Sequence, residues 1–248
     1  MSNKLQIVYE PKGAAKEYAD LACNLYTSCI HGCRYCYVPG CVRKSREEFS
    51  FELSIVKDCV KKFEHDAKIL AGDSREILFS FTSDHYQTFD SAALMERIYM
   101  IAEENNLRVS VLTKAGFRAV PHFKYFKRNG WKLGSTICFA DEHNREFWEP
   151  GAPSIFSRIE AVKQAHAMGI YTWVSIEPVI YPRCAFEVIE ELRGHVDLWK
   201  IGKINHMPEL ERKFKWVEFR EYLKEVLAGE NYYIKKSLTE LYHGKVRS

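Results

Sequence analysis

Stretches of apolar and β-branched residues alternate with amphipathic stretches along most of this chain. Short apolar runs bounded by turn residues are typical of buried strands, whereas apolar positions spaced three or four residues apart are typical of helices. The first pattern predicts strands at Ala22–Tyr26, Glu76–Thr82, Leu107–Thr113, Lys132–Cys138, Tyr171–Ile176 and Val196–Ile201. The second pattern predicts helices near Ser54–Leu70, Ser91–Asn105, Val120–Asn129, Ile155–Met168 and Ala185–Arg193.

Six strand–helix units in this order predict an α/β fold, in which a parallel sheet with helices outside it forms a partial TIM-like (β/α)6 barrel or a complete one. A helix at Trp216–Leu227 and an extended segment at Tyr232–Lys235 follow these units. We expect a single domain over residues 1–248, with a core at about 20–205 and a C-terminal extension at 206–248. In such folds the chemistry lies at the C-terminal ends of the strands.

The length, composition and charge of the chain favour a globular protein without membrane-spanning segments. The chain has 248 residues, 46% of them hydrophobic, which is enough for one large core. No apolar run approaches membrane-spanning length, and the N-terminus lacks the pattern of an export signal, so the eight cysteines predict a reducing, cytoplasmic setting. The formal net charge of +3 does not by itself predict a nucleic-acid partner. We expect a monomer without a membrane partner.

Three cysteines lie close together, in the run Cys29-Ile30-His31-Gly32-Cys33-Arg34-Tyr35-Cys36-Tyr37. Thiolates at this C-x3-C-x2-C spacing can hold three irons of a 4Fe–4S cluster and leave the fourth iron without a protein ligand. An open coordination position suits a metal site that activates a small molecule. A structural zinc site would need a fourth ligand from His31, Cys41 or Cys23, none of which has the usual spacing. The other five cysteines are scattered and do not predict a second cluster.

Further motifs follow the cysteine run in a fixed order. With the residues just before and within that run, they are Asn24-Leu25-Tyr26, Tyr35-Cys36-Tyr37-Val38-Pro39, Thr82-Ser83-Asp84, Leu112-Thr113-Lys114, Glu149-Pro150-Gly151-Ala152-Pro153, Arg158-Ile159-Glu160-Ala161 and Gly169-Ile170 leading to Pro178. Each is weak alone, but the ordered set from about residue 21 to 182 resembles the spore photoproduct lyase group of the radical S-adenosylmethionine superfamily. The C-terminal quarter of the chain matches less clearly.

The resemblance implies two cofactors, a 4Fe–4S cluster on Cys29, Cys33 and Cys36 and S-adenosylmethionine. In this superfamily the open iron binds the amino and carboxylate groups of S-adenosylmethionine, and one electron cleaves it to a 5′-deoxyadenosyl radical. That electron requires a donor such as flavodoxin or ferredoxin. The residues expected to contact S-adenosylmethionine follow the cysteine loop or lie at strand ends: Tyr37, Ser83, Asp84, Lys114, and Ser135 or Thr136.

One position departs from the family pattern. Spore photoproduct lyases carry a hydrogen-donating cysteine immediately before the Thr-Ser-Asp element, where this chain has Phe81. Because a phenyl ring cannot quench a substrate radical, simple dimer repair by the family mechanism is not expected. Cys138 or Cys184 could supply hydrogen instead, although a buried cysteine is more often a small apolar residue. Tyr35 and Tyr37 resemble the family's paired tyrosines, which are proposed to relay hydrogen between substrate and cofactor.

Polar residues at several strand ends are candidates for substrate contacts, namely Tyr86, Glu177, Lys200, Lys203 and Asn205. Glu177 stands where the family tends to be apolar, and a structural ion pair with one of the two lysines is an equally good interpretation of it. A polar, charged pocket suits an amino-acid-like or nucleotide substituent better than a bare thymine dimer.

These observations give a leading hypothesis: a radical S-adenosylmethionine enzyme of isomerase or lyase type that modifies or isomerises a thymine-derived base, with a modified thymine nucleotide or DNA as substrate. Phe81 and Glu177 favour modification or isomerisation over repair. The alternatives are a lyase that repairs DNA photoproducts, a radical enzyme that acts on a small metabolite or peptide, and a non-catalytic iron–sulfur or zinc module that binds a partner.

Overall fold

A computed structural model describes residues 4–241 of the chain. Its sheet has eight strands that neighbour one another in chain order: β1 Val8–Tyr9, β2 Leu21–Cys23, β3 Glu76–Phe79, β4 Arg108–Thr113, β5 Lys132–Thr136, β6 Tyr171–Val179, β7 Leu198–Lys203 and β8 Tyr232–Ile234. β1 is antiparallel to β2, and each later pair is parallel. The predicted α/β fold is confirmed, with β1 and β8 at the two edges of a mostly parallel sheet.

Helices fill most of the connections between the strands. They are α1 Val38–Cys41, α2 Arg46–Ser50, α3 Cys59–Ile69, α4 Ser91–Glu104, α5 Phe123–Asn129, α6 Glu142–Trp148, α7 Ile155–Ala167, α8 Pro182–Leu192, α9 Pro208–Lys213, α10 Trp216–Val226 and α11 Lys236–Thr239. Two 3₁₀ helices add to these, at Gly13–Glu17 and Gly116–His122. None of the helices within residues 4–241 is long and apolar enough to cross a membrane.

All six strands expected from the sequence are present, but β2 and β3 each end three residues earlier than predicted. The side chain of Asn24 explains the early ends. Its carbonyl oxygen accepts hydrogen bonds from the N–H groups of Phe81 (2.9 Å) and Thr82 (3.1 Å), so a side chain takes the place of a neighbouring strand there. The polar segment after β3 is thereby held at the C-terminal edge of the sheet.

The first long helix also begins later than its apolar pattern predicts. Residues expected at its start pair with the segment that leads into the cysteine run: Ile55 forms a β-bridge with Tyr26, and the Ser54 carbonyl accepts a hydrogen bond from the Thr27 N–H at 2.9 Å. The helix therefore begins only at Cys59. This pairing fixes the position of the segment that leads into the cysteine run.

The two edge strands are fixed by carboxylates that local sequence patterns do not indicate. The buried side chain of Asp66 accepts hydrogen bonds from the N–H groups of Gln6, Ile7 and Val8, which holds β1 against α3. Glu17 accepts hydrogen bonds from the Tyr233 hydroxyl (2.8 Å) and the Lys236 N–H (3.0 Å). The N-terminal segment is thus joined to the C-terminal one beside β8.

Two clusters of buried apolar side chains, one mainly around β2 to β5 and one around the later strands, form the core. The expected single domain over residues 1–248 remains a prediction. Residues 1–3 and 242–248, at the two ends of that range, lie outside the part that the structure describes.

Candidate active site

A cavity of about 440 Å³ opens at the C-terminal ends of the strands. The thiol-bearing residues Cys29, Cys33 and Cys36 line it, and so do most of the residues that the sequence assigned to cofactor and substrate: Tyr35, Tyr37, Ser83, Asp84, Lys114, Thr136, Glu177, Lys203 and Asn205. The chain therefore brings together groups that are up to 176 positions apart (Cys29 to Asn205) in one concave space. A cavity of this size is typical of small-molecule and cofactor sites.

Backbone hydrogen bonds to two different segments of the chain hold the cysteine run in a curled conformation. The N–H of Cys29 donates to the Phe49 carbonyl at 3.2 Å, and the N–H of Arg34 donates to the Trp148 carbonyl at 2.8 Å. Gly32 has a φ of +59°, a left-handed conformation that glycine adopts without strain. These restraints turn the three cysteines towards the cavity.

Gly151 allows a second segment to pack directly on the cysteine run. Its N–H donates to the His31 carbonyl at 2.9 Å. A Cβ atom at this position would lie 2.3 Å from the Ile30 carbonyl oxygen and 3.0 Å from the His31 Cα, so only glycine fits. The motif Glu149-Pro150-Gly151-Ala152-Pro153 therefore has a physical role, which is to buttress the cysteine run.

Behind the cysteine run is a fully buried ion pair. The guanidinium of Arg158 donates to the Glu149 carboxylate at 2.5 Å, and both side chains have 0% exposure. The Tyr35 hydroxyl donates to the other carboxylate oxygen of Glu149. Arg158 also donates to the carbonyl oxygens of Pro153, at 2.8 and 3.0 Å, and of Thr136, at 3.4 Å. A buried pair with its remaining lone pairs and protons satisfied in this way fixes the positions of its neighbours.

Lys114 extends from the end of β4 into the cavity. Its ammonium is 4.0 Å from Glu149 and 5.7 Å from the centre of the Tyr35 ring. Burial alone would lower the pKa of Lys114, but the nearby Cys33 and Glu149 raise it, so the side chain is a cation. Because Arg158 and Tyr35 already occupy the Glu149 carboxylate, the ammonium retains the capacity to bind an anion in the cavity.

Asp84 lines the cavity and connects neighbouring segments through hydrogen bonds. Its carboxylate accepts hydrogen bonds from the N–H groups of Tyr86 (2.8 Å) and Lys114 (2.6 Å) and from the Thr113 hydroxyl (2.7 Å). Burial alone would raise the pKa of Asp84, but the His31 ring, a second neighbouring imidazole and these N–H groups favour the ionised form and lower the pKa to about 2. The carboxylate is therefore ionised at neutral pH and joins the ends of β3 and β4.

Of the remaining residues expected to contact S-adenosylmethionine, some line the cavity and one does not. Ser83, Thr136 and the half-exposed Tyr37 line the cavity, with the Tyr37 ring 6.3 Å from that of His206. Ser135 is buried next to Thr136 and is not among the lining residues. Alternate residues of a strand point to opposite faces, which decides between these two neighbours.

The two cysteines proposed as replacement hydrogen donors lie away from the lining. Cys138 is buried, with its sulfur 4.0 Å from the Tyr35 hydroxyl, and burial raises its pKa to about 12. Cys184 belongs to α8, and its thiol lies within 4.8 Å of carboxylate oxygens of Asp141 and Glu187. Neither thiol is among the lining residues, and a role for either as hydrogen donor stays a prediction.

Tyr86, expected to contact substrate, is fully buried in the core instead. Its hydroxyl lies 2.9 Å from both the Tyr99 hydroxyl and the Nδ1 atom of His122. The chain turns at Asp84, whose carboxylate accepts the Tyr86 N–H, and this turn directs the phenol into the interior.

Glu177 lines the cavity, and its partner is a lysine that sequence reasoning missed. The ammonium of Lys235 donates to both carboxylate oxygens of Glu177, at 2.9 and 3.0 Å. The Tyr18 hydroxyl also donates to this carboxylate, and the Lys235 ammonium lies 4.3 Å from the centre of the Tyr18 ring. Tyr18 and Lys235 both line the cavity. They come from the N-terminal and C-terminal segments, outside the strand–helix repeats, where no pattern indicated a site.

The side chains of the other residues expected to contact substrate already have hydrogen-bond partners within the protein. Lys200 donates to the Tyr18 carbonyl at 3.2 Å, lies 4.7 Å from that ring and is not a lining residue; burial lowers its pKa to about 8. Lys203 lines the cavity, but its ammonium donates to Glu211 at 2.9 Å and to the Asn205 side chain at 3.1 Å.

The donor set at the cysteine run fits a thiolate-ligated cluster. Burial raises the pKa of Cys29 to about 11 and that of Cys36 above its ordinary value, so the free thiols stay protonated and become thiolates only when a metal replaces the proton. The fully buried His31 has no hydrogen-bond partner for its Nε2 atom, and burial lowers its pKa to about 4. His31 lines the same cavity as the three cysteines, so its unpartnered Nε2 atom fits a site that a bound group completes.

Comparisons with known proteins agree with this geometry. No family model matches the sequence. An uncharacterised protein of Methanocaldococcus jannaschii is 25% identical over 159 residues, which is 63% of this chain and 59% of that protein. Streptococcus suis SuiB bound to S-adenosylmethionine superposes with a TM-score of 0.63 at 11% identity, over 90% of this chain and 53% of SuiB.

Spore photoproduct lyase is a second structural neighbour. The complex with dinucleoside spore photoproduct has a TM-score of 0.66 at 17% identity, over 93% of this chain and 80% of that one. A mutant of that lyase with bound AdoMet and the same dinucleoside has a TM-score of 0.68 at 16% identity. This chain has the fold of the radical S-adenosylmethionine enzymes. The resemblance inferred from the ordered motifs is confirmed at the level of the fold, and this chain spans about half of SuiB and three fifths of the archaeal relative.

Proposed function

We propose that this chain is a radical S-adenosylmethionine enzyme in which Cys29, Cys33 and Cys36 hold a 4Fe–4S cluster with one open iron. The observation that carries the proposal is the shared cavity: the three cysteines, the Lys114 ammonium and the Ser83 and Thr136 hydroxyls all line it. Bound together, the cluster and S-adenosylmethionine would supply a 5′-deoxyadenosyl radical.

The chain's own residues would bind and orient S-adenosylmethionine. Lys114 is the cation beside the cysteines and suits the carboxylate of an amino acid. Ser83 and Thr136 offer hydroxyl groups that can donate or accept hydrogen bonds to the amino group or the ribose. Asp84 already accepts three hydrogen bonds from the protein, one of them from the Lys114 N–H, so we assign it to positioning Lys114 rather than to direct contact.

We further propose a thymine-derived base as substrate, modified or isomerised rather than repaired. The lyase that matches this fold binds a dinucleoside photoproduct, and this chain covers 80% of that enzyme. Phe81 lines the cavity and carries no transferable hydrogen, while neither Cys138 nor Cys184 lines it. A reaction that takes hydrogen back from the nucleoside product of S-adenosylmethionine needs no thiol donor, and the Tyr35 and Tyr37 phenols lie on the cavity wall for such a relay.

Nucleoside analysis tests the substrate. We expect reconstituted enzyme, incubated anaerobically with S-adenosylmethionine, reductant and DNA that carries modified thymines, to change the mass or retention of one nucleoside. Plain DNA and ultraviolet-irradiated DNA are the parallel samples, and conversion of the irradiated sample alone would favour repair. No change in any nucleoside would contradict the DNA substrate while leaving S-adenosylmethionine cleavage to be judged separately.

A peptide substrate is the second candidate. SuiB bound to its precursor peptide SuiA also has this fold, with a TM-score of 0.63 and 13% identity, although this chain covers only 52% of SuiB. The charged pair Glu177–Lys235 on the cavity wall could accept a peptide's polar groups. Cleavage of S-adenosylmethionine stimulated by peptides but not by DNA would favour this candidate.

A further inference from the structure

Exposed cationic side chains lie within the cysteine run and in the segment that follows it. Arg34, Arg43, Lys44 and Arg46 are exposed side chains on or next to this run, and we call these four residues the cationic face. The stretch 34–48 that contains them has four cations against two carboxylates, Glu47 and Glu48. Glu48 is engaged locally, because its carboxylate accepts the Ser45 N–H at 2.7 Å in the capping box of α2.

One residue of the cationic face, Arg46, contacts the cysteine run directly. Arg46 donates to the backbone carbonyl of Cys33 at 3.1 Å. Arg34 is bracketed in sequence by Cys33 and Cys36. The protein surface is therefore adjacent to the cysteine run at this point.

The face also has the form of a weak docking surface. Val42 and Phe147, 44% and 47% exposed, lie next to Arg43 and Arg34, with the Arg34 guanidinium 4.0 Å from the Phe147 ring centre. Within residues 4–241, Arg43 and Lys44 have no carboxylate partner, so their charges are available to another molecule. Small apolar contacts with surrounding charges suit transient electron-transfer complexes, in which charge raises the association rate more than the affinity.

We propose that the cationic face docks a small acidic protein that carries one low-potential electron. This inference rests on the proposed function, which needs one electron for each cleavage of S-adenosylmethionine. The donor is oxidised by one electron and the cluster is reduced by one. None of the four side chains lines the cavity, so a protein docked on them leaves the lining residues available to S-adenosylmethionine and substrate.

The test compares a protein donor with a small chemical one. Arg43→Glu/Lys44→Glu reverses the two unpaired charges, while Lys61→Glu/Lys127→Glu makes the same change in net charge on the outer helices α3 and α5. Reconstituted wild type and both variants are mixed anaerobically with photoreduced flavodoxin at several concentrations and salt levels, and bleaching of the cluster absorbance gives the second-order rate constant. The same proteins are then reduced with dithionite.

We expect the Arg43/Lys44 variant to react with flavodoxin about tenfold or more slowly at low salt and to lose most of the salt dependence, because steering acts through charge. Reduction by dithionite and the resulting S-adenosylmethionine cleavage should stay at wild-type levels, and the Lys61/Lys127 variant should behave as wild type throughout. Equal flavodoxin rates for the two variants, or no reduction of wild type by flavodoxin, would overturn the docking proposal. Dithionite-reduced wild type that leaves S-adenosylmethionine intact would contradict the proposed function instead.

Discussion

The guanidinium of Arg158 and the carboxylate of Glu149 meet at 2.5 Å in complete burial, directly behind the cysteine run. The Glu149 carboxylate also orients the Tyr35 phenol, and the backbone that follows it packs on His31 through Gly151. The pair therefore connects α7, the segment after α6 and the candidate metal site.

Breaking this pair should cost substantial stability. Arg158→Met leaves a buried, uncompensated carboxylate, so we expect the free energy of unfolding to fall by about 3–5 kcal/mol, as judged by denaturant titration under reducing conditions. Glu149→Gln/Arg158→Met removes both charges and should lose less than the sum of the two single changes. Additive losses in this double-mutant cycle would mean that the two side chains are not coupled.

Gly151 should be required for metal content. We expect Gly151→Ala to lose most of its iron and sulfide on reconstitution, because the new methyl group would displace the Ile30 carbonyl and with it the cysteine run. Gly40→Ala, close to the same run, is the control, because a Cβ there meets nothing within 4 Å. Equal iron and sulfide in the two variants would rule out the buttress.

Lys114 should govern affinity for S-adenosylmethionine. With the cluster present and no substrate, Lys114→Gln should weaken binding by roughly tenfold or more, the value of one charge-assisted hydrogen bond, while Lys114→Arg should recover part of the affinity. Equilibrium binding measures both variants, normalised to bound iron. If Lys114→Gln binds as tightly as wild type, then the cation serves only to neutralise Glu149 and the cysteines.

His85 should make stability sensitive to acid. Its ring is fully buried with both nitrogens unpartnered, and burial lowers its pKa to about 4 from an ordinary value of about 6.5. Because the unfolded chain takes up the proton first, stability is present above about pH 6.5 and is lost as the pH falls towards 4. His85→Phe should remove up to about 3 kcal/mol of that pH-dependent loss, as measured by unfolding at several pH values; unchanged slopes would disprove the assignment.

The sequence predicted the fold and one side of the site well. The three cysteines, Ser83 and Lys114 belong to short motifs at strand ends, and parallel strands carry their C-terminal ends to one edge, so a local pattern was enough to place these residues together. The sequence could not decide whether Ser135 or Thr136 points into the cavity, because neighbouring residues of a strand point to opposite faces. Only the structure, with the register of β5 in the sheet, shows that Thr136 is the lining residue.

The opposite wall of the cavity could not be predicted in this way. Tyr18 and Lys235 lie in segments outside the repeats and meet Glu177 only because Glu17 joins the N-terminal segment to the residues around β8. Contacts between positions more than 200 residues apart leave no local signal. Tyr86 shows the converse: its position after a strand suggested the cavity, but hydrogen bonds to Asp84 turn the chain and bury the phenol.

The central claim is that the three cysteines form a centre that cleaves S-adenosylmethionine, and one measurement tests it most directly. Anaerobically reconstituted protein is reduced with dithionite in the presence of S-adenosylmethionine, and 5′-deoxyadenosine and methionine are quantified together with iron and sulfide. We predict that both products form in equal amounts with wild type and that Cys33→Ala forms neither. Wild type that carries a full complement of iron and sulfide, accepts the electron and leaves S-adenosylmethionine intact would contradict the account.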